Sequence, residues 1–319
     1  TRPLLRVGEI LEAIPGMIAT QHSGAGKANQ YFLRGFNLDH GTDFATWVDG
    51  MPVNLRSHGH GQGYTDINFL IPEMIDQLRF VKGPYHAELG DFSSAGGVHF
   101  ETRRRVDAPT VSVSAGSNGY ERLLAMASQE QESVLTGALE AVHYDGPWRD
   151  VEENLEKLNG QLSLSRETEE GRWRLHARGY QSRWHSADQI PARAVATGTL
   201  HPLGTLDPAL GGRSHRFSLG ADGTRRTDLG VWTAEAYVID YRLRLWSNFT
   251  YGLDDPARGD QFEQLDDRRI AGGQGTFSWG ENYTGGKFIL YNPDESDSRA
   301  SNIDGSTVSF YNGNTLIEV

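Results

Sequence analysis

The segment Asn54-Leu55-Arg56-Ser57-His58-Gly59-His60-Gly61-Gln62-Gly63-Tyr64 gathers the side chains best suited to chemistry in this chain. Neutral imidazole is the commonest metal ligand, and His58 and His60, two residues apart, share one face of the backbone if the segment is extended. Arg56, Gln62 and Tyr64 add a cation, an amide and a phenol able to hold a bound ligand. His22, Asp39, His40 and Asp43 stand in other loops that could reach the same point. Two histidines in a Gly-rich loop define no coordination geometry. The pattern therefore supports two readings: contact with a metal or metal chelate, or imidazoles that pack and hydrogen-bond. No catalytic constellation accompanies it. The serines of Gly90-Asp91-Phe92-Ser93-Ser94-Ala95-Gly96 lack the Gly-x-Ser-x-Gly elbow, and no phosphate-cradling loop is present. Asp254-Asp255 and Asp266-Asp267 fall in expected loops, where solvation is the simpler role. The chain is expected not to be an enzyme.

Composition narrows the class. With 30 basic against 42 acidic residues the net charge is −12, which argues against nucleic acid, since phosphate binding depends on Lys and Arg. No run approaches the roughly 18 to 20 apolar residues of a membrane-spanning helix, so a membrane location would require a closed β-barrel. The absence of Cys removes disulfides and thiolate metal sites. Thr1-Arg2-Pro3-Leu4 runs straight into fold-like sequence without a leader, as a trimmed or partial chain would.

The elements that must position these residues divide near Arg103-Arg104-Arg105, giving expected domains of residues 1–104 and 105–319. In the first, Val7, Ile10, Leu11 and Ile14 have helical spacing and Pro15-Gly16 stops the helix. Met17–Thr20, Tyr31–Arg34, Phe44–Val48 and Gln77–Val81 read as strands, and Pro72 opens one helical turn. A small α+β domain results. In the second, the period becomes two. Trp173, Leu175, Ala177 and Gly179 alternate with Arg172, Arg174, His176 and Arg178, and the run from Gly230 to Leu253 exceeds an ordinary globular strand. Short turns at Ser117-Asn118-Gly119 and Glu169-Glu170-Gly171 contrast with a loop from Ser182 to Gly212. Trp148, Trp184, Trp246, Phe249 and Tyr251 near strand ends suit an interfacial girdle. Periodicity alone leaves a soluble sandwich and an outer-membrane barrel equally open.

Four segments weight that choice: Leu33-Arg34-Gly35, Val48-Asp49-Gly50-Met51-Pro52, Val81-Lys82-Gly83-Pro84, and Gly96-Gly97 followed by Thr102. Singly they are generic turn sequences. In this order, across about a third of the chain, they resemble the plug domain of TonB-dependent outer-membrane receptors. The resemblance implies a mostly β protein, an N-terminal plug followed by antiparallel outer-membrane barrel strands, with TonB and outer-membrane lipid as partners. It implies a small-molecule chelate as the bound ligand, most commonly a ferric siderophore, and no resident cofactor. A free metal, a vitamin or a carbohydrate as ligand, or a structural or adhesive β-domain, is the alternative. It further implies that Arg34, Asp49, Arg79, Lys82 and Glu88 form the structural ion network of the plug. The His58/His60 loop, the Ser182–Gly212 loop and residues 254–267 would then face the ligand.

Length sets a limit on this expectation. A plugged barrel of this class has about 22 strands and needs roughly 400 residues or more, whereas the chain after Arg105 suffices for about eight or nine. A plug with the first part of a barrel wall is expected. The Asn- and Ser-richer stretch from Glu281 has no clear reading.

Overall fold

The computed structural model describes residues 6–21, 23–86, 89–257, 259–280, 282–291, 299–301 and 307–309. Its first domain opens with the 3-10 helix Val7–Ala13, which buries Val7, Ile10 and Leu11 on the face their spacing predicts. No side chain caps its N-terminus, and Gly16, at φ 86°, turns the chain into strand. Strands β1 (Met17–Thr20), β2 (Gln30–Leu33) and β3 (Phe36–Asn37) form one small sheet. A second has the order β5-β4-β7-β6, built from β4 (Phe44–Val48), β5 (Met51–Pro52), β6 (Ile75–Lys82) and β7 (Gly96–Thr102). In it β4 runs parallel to β7 and β6 antiparallel to β7. All five residues of β4 are buried, the polar Thr46 among them, as in a strand covered on both faces beside a parallel neighbour. Asp49 and Gly50, at φ 46° and 78°, make the tight turn between β4 and β5 for which an Asp-Gly pair is suited.

The second domain is one sheet of nine strands: β8 (Thr110–Ala115), β9 (Glu121–Glu130), β10 (Val134–Tyr144), β11 (Leu155–Thr168), β12 (Gly171–His185), β13 (Gly211–Thr227), β14 (Gly230–Ser247), β15 (Phe262–Trp279) and β16 (Asn282–Tyr291). Every strand pairs antiparallel with its sequence neighbour, and β8 and β16 are the two edges. Short strand pairs Arg299–Ser301 and Thr307–Ser309 follow. Strict alternation sorts the connections into two ends. Residues 131–133, 169–170, 228–229 and the turn after Trp279 lie at one end, and 116–120, 145–154, 186–210 and the connection after Ser247 at the other. This corrects the expectation for Ser117-Asn118-Gly119, a tight turn that belongs to the long-loop end.

The two faces of the sheet decide between sandwich and barrel. Arg174, His176, Arg178, Asn159, Gln161, Ser163 and Glu140 are buried against the first domain, while Leu139, Leu162, Leu175, Leu219, Trp232 and Val238 are exposed. A soluble sandwich would have the reverse; a barrel wall has this arrangement, with apolar groups toward lipid and polar groups toward the lumen. Strand β14 keeps one parity throughout. Tyr237, Ile239, Tyr241, Leu243 and Leu245 all point inward and are buried. Outward, Trp232 and Val238 give way to Asp240, Arg242 and Arg244, which pair with Arg269, Asp267 and Glu263 on β15. The apolar band therefore ends near Val238, and the charged upper half of the strand stands in water. The aromatic girdle is also different from the one expected. Trp184 is buried against the first domain, Trp148, Phe249 and Tyr251 stand in long-loop connections, and Trp246 packs under Arg244. The outward cluster lies at the short-turn end, where Trp232 and Phe277 stack at 4.4 Å and Phe277 meets Trp279 at 5.4 Å.

Leu175 is exposed and, through its partner Ala221, lies in register with Ala236, between Trp232 and Val238, so Leu175→Arg should cost roughly 2–4 kcal/mol at the bilayer midplane. Folding titrations into lipid vesicles measure this; an unchanged midpoint would contradict the assignment of the outward face.

Candidate functional site

The first domain sits against the inward face of the sheet, and its firmest attachment is a buried carboxylate. The Asp49-Gly50 turn aims Asp49 at β12, where Arg174 Nη2 lies 2.7 Å from Asp49 Oδ1 and Arg178 Nη2 meets Oδ2. Thr102, the last residue of β7, donates its N–H to Oδ1 at 2.9 Å and its hydroxyl to Oδ2 at 2.6 Å. Gln161 of β11 donates to the same hydroxyl at 3.1 Å. Arg174 turns its Nε to Asp222 at 2.8 Å, and Asp222 also holds Arg104, where the chain leaves the first domain. Burial alone would raise the Asp49 pKa, but Arg178, Arg174 and the two Thr102 bonds outweigh it and hold the carboxyl far below its ordinary value.

Further contacts fix the rest of the inserted domain. Glu73 receives both terminal nitrogens of Arg122 at 2.7 Å, and Arg122 also reaches Glu140, which Lys157 and Asn159 approach at 2.9 Å. Arg216 donates to the Pro52 carbonyl at 3.2 Å and lies over the Phe69 ring. Near the long-loop end Trp184 packs on the backbone of Gly24 and Gly26. A Cβ on Gly26 would fall 1.9 Å from the indole, so only glycine permits that approach.

The histidine loop lies at the long-loop end of the same interface. His58 is fully enclosed and stacks on Tyr64 at 4.0 Å. Its Nδ1 accepts the His60 N–H at 3.1 Å, and its Nε2 stands 3.2 Å from the Tyr241 hydroxyl. Both nitrogens are thus committed within the protein. Burial, then the charge of Arg268, pushes the His58 pKa well below its ordinary value, so the ring is neutral near pH 7. His60 places Nδ1 2.9 Å from Gln264 Oε1 and Nε2 3.1 Å from His40 Nε2. Tyr64 is buried and its hydroxyl accepts the Ala28 N–H.

The sequence-derived site residues separate accordingly. Asp49 is the centre of an ion network that crosses to the barrel wall. Arg79 pairs with Glu101 across β6 and β7, inside the first domain, because the neighbouring strand offers a carboxylate on the diagonal, two residues from His99 opposite Arg79. Lys82 lies over the Phe80 ring at 5.5 Å. Arg34 is exposed at a turn with φ 51° and makes no ion pair among the described residues, contrary to the network expected of it. Glu88 and His22 lie outside the described residues. Arg56 pairs with exposed Asp91 at 2.9 Å and Gln62 is exposed, whereas His58 and Tyr64 are structural. His58 and His60 do not point at one ion, and among the described residues no group of three or more His, Asp or Glu side chains has the geometry to hold a metal. Arg174, Arg178, Thr102 and Asp222 were not singled out as a site. The sequence signal of the two arginines is the row of basic residues alternating with Trp173, Leu175 and Ala177, and Thr102 enters only as the end of the Gly96-Gly97 segment.

Residues 1–98 match the family model of the TonB-dependent Receptor Plug Domain. The N-terminal domain is a TonB-dependent receptor plug. The whole chain resembles solved structures of plugged barrels. It superposes on the copper transporter OprC with a TM-score of 0.69 at 20% identity, covering 97% of this chain and 48% of OprC. It superposes on the siderophore receptor PirA from Acinetobacter baumannii with a TM-score of 0.64 at 15% identity, covering 93% and 46%. For the unliganded ferric citrate transporter FecA the TM-score is 0.70 at 11% identity, covering 92% and 49%. At these identities the likeness shows the fold, and the chain spans about half the length of each relative. The nine-stranded sheet is the matching part of an outer-membrane barrel wall. Its short-turn end is the periplasmic one and its long-loop end the outer one. The Asp49 contact thus lies in the periplasmic half of the lumen and the histidine loop toward the outer face.

Asp49→Asn should destabilise the seated plug by about 3–5 kcal/mol, since Arg174 and Arg178 are left buried without their anion. Because the folded pKa is depressed, the wild-type contribution is fully present above about pH 4, the ordinary carboxylate range, and is lost as pH falls toward the folded value. Denaturation of the full-length protein in detergent, followed by tryptophan fluorescence from pH 3 to 8, measures both effects; a wild-type and variant difference independent of pH would contradict the assignment.

Proposed function

We propose that the intact protein binds a metal chelate, most simply a ferric siderophore-type complex, at its outer face and imports it when TonB pulls on the plug. The observation that carries this reading is the charged contact of Asp49 with Arg174 and Arg178. It closes the lumen in the resting state, yet it consists of groups that water can re-solvate once the plug shifts. Unlike an apolar seat of the same area, these charges regain hydration as they separate into water, which offsets part of the interaction they lose.

The outer end supports a receptor role. Asp188 of the 186–210 connection accepts the Asn248 N–H at 3.0 Å, and Asp207 accepts from Asn248 and Gln261 at 2.9 and 3.0 Å. The two longest outer connections are therefore tied together above the plug, forming a polar entrance before any ligand arrives. The metal-complex class draws on the structural relatives, whose descriptions name copper, a siderophore and ferric citrate.

Uptake of a panel of radiolabelled ferric chelates, with cobalamin and oligosaccharides as comparison, should show accumulation of at least one chelate that vanishes when TonB is deleted. Accumulation confined to the vitamin or sugar would replace the ligand class, and accumulation independent of TonB would overturn the coupling.

A further inference from the structure

Arg183, Arg213 and Arg244 stand directly opposite one another on β12, β13 and β14, and their parity points all three outward, above the apolar band. Like charges facing each other across neighbouring strands destabilise a sheet, so each cation needs an anion nearby. Glu156 on β11 accepts from Nε and Nη2 of Arg183 at 2.8 and 2.7 Å, and Glu263 on β15 pairs with Arg244. Arg213, between them, is exposed and has no ion-pair partner among the described residues. One row closer to the band, Gln181, His215 and Arg242 follow in register. The carboxylates at that level are committed, Asp240 to His215 at 3.1 Å and Asp267 to Arg242 at 3.2 Å. The outcome is a groove of about 570 Å3 lined by Arg183, Arg213, His215 and Arg242 above Leu158. Positive charge is thus in local excess in a chain of net charge −12.

Directly below, the wall recedes. Gly179 lies two residues from Gln181 and opposite Gly160 of β11. A Cβ on Gly160 would stand 3.3 Å from Leu139, and one on Gly179 3.2 Å from the Phe217 ring, so the two glycines are the floor of a hollow with Leu139 and Phe217 at its sides. The hollow measures about 1020 Å3 and runs on over Leu162, Ala177, Leu219 and Val238. We infer that a phosphate-bearing lipid of the outer leaflet binds here, its phosphate on Arg213 between Arg183 and Arg242 and an acyl chain in the hollow. Guanidinium forks match phosphate oxygens in geometry and charge, and the unpaired Arg213 supplies the position where an anion is missing. Continuity of the basic groove with the apolar hollow selects the class of partner, since an acidic protein would meet the arginines without filling a depression that faces hydrocarbon. Strands β11 to β14 are interior to the sheet, so no further strand of the wall covers this face.

The inference rests on the orientation of the sheet in the membrane and is independent of the transported ligand. Full-length protein in a non-ionic detergent is mixed with diphosphoryl lipid A, and bound lipid is counted by native mass spectrometry. One lipid per protein should be retained, with affinity at least about 10-fold lower for Arg213→Gln, as expected for losing a hydrogen bond between charged groups. The wild type should hold the phosphate-free form of the same lipid at least about 10-fold more weakly, a comparison that needs no variant to fold. Arg225→Gln makes the same change on β13 at the short-turn end, where Arg225 faces Glu170, and should bind as the wild type does. Unchanged affinity in Arg213→Gln, or equal retention of the phosphate-free lipid, overturns the proposal. Displacement of the lipid by an equal concentration of inorganic phosphate would mark a free-anion site and overturns it as well.

Discussion

A buried carboxylate between two guanidinium groups fastens the plug to the barrel wall. Asp49 is enclosed, as are Arg174 and Arg178, and none of the three could remain charged in that position without the others. The surrounding architecture serves that requirement. An Asp-Gly turn with positive φ at both residues projects the carboxylate, and the end of β7 supplies two further donors from Thr102. A long strand with strict alternation delivers both arginines to the same face four residues apart.

The wall of the barrel follows from the same partition of polar and apolar groups. Because the plug and the lumen are polar, the inward face of the sheet carries Arg, His, Gln, Asn and Ser, and the outward face carries Leu, Val and Trp. Above Val238 the outward face becomes charged while the inward face turns aromatic and aliphatic, packing Tyr241, Leu243 and Leu245 around the histidine loop. Outside, the change marks the edge of the lipid band. Inside, burial and stacking hold the histidine loop, and ionic contacts fasten the plug to the wall at both levels, through Asp49 toward the short-turn end and through Glu73 and Arg122 toward the long-loop end.

Much of this was legible in the sequence because local rules dominate it. Met17–Thr20 and Phe44–Val48 have the expected limits, and the estimate of eight or nine barrel strands agrees with the nine-stranded sheet among the described residues. Asp49 reads as half of an Asp-Gly turn and, through the resemblance, as part of an ion network; in the structure it has a positive φ and two arginine partners. What sequence could not supply was partnership over distance. Arg178 is 129 positions from Asp49, and nothing local distinguishes its role from that of exposed Arg172. The histidines show the same limit. His58 and His60 share an extended face on paper, but the loop folds so that His60 meets His40, and His58 is consumed by Tyr64 and Tyr241. Trp184 was misplaced for a related reason, since an aromatic near a strand end serves a lipid interface or a glycine-lined seat with equal ease.

The central claim is that Asp49 and Arg178 act as one unit, and a double-mutant cycle tests it most directly. Plug unfolding would be measured in detergent for the full-length protein, Asp49→Ala, Arg178→Ala and the double variant. The account predicts a coupling energy of about 2–3 kcal/mol, at the upper end for contacting residues. A coupling below about 0.5 kcal/mol, the range of independent sites, would contradict it.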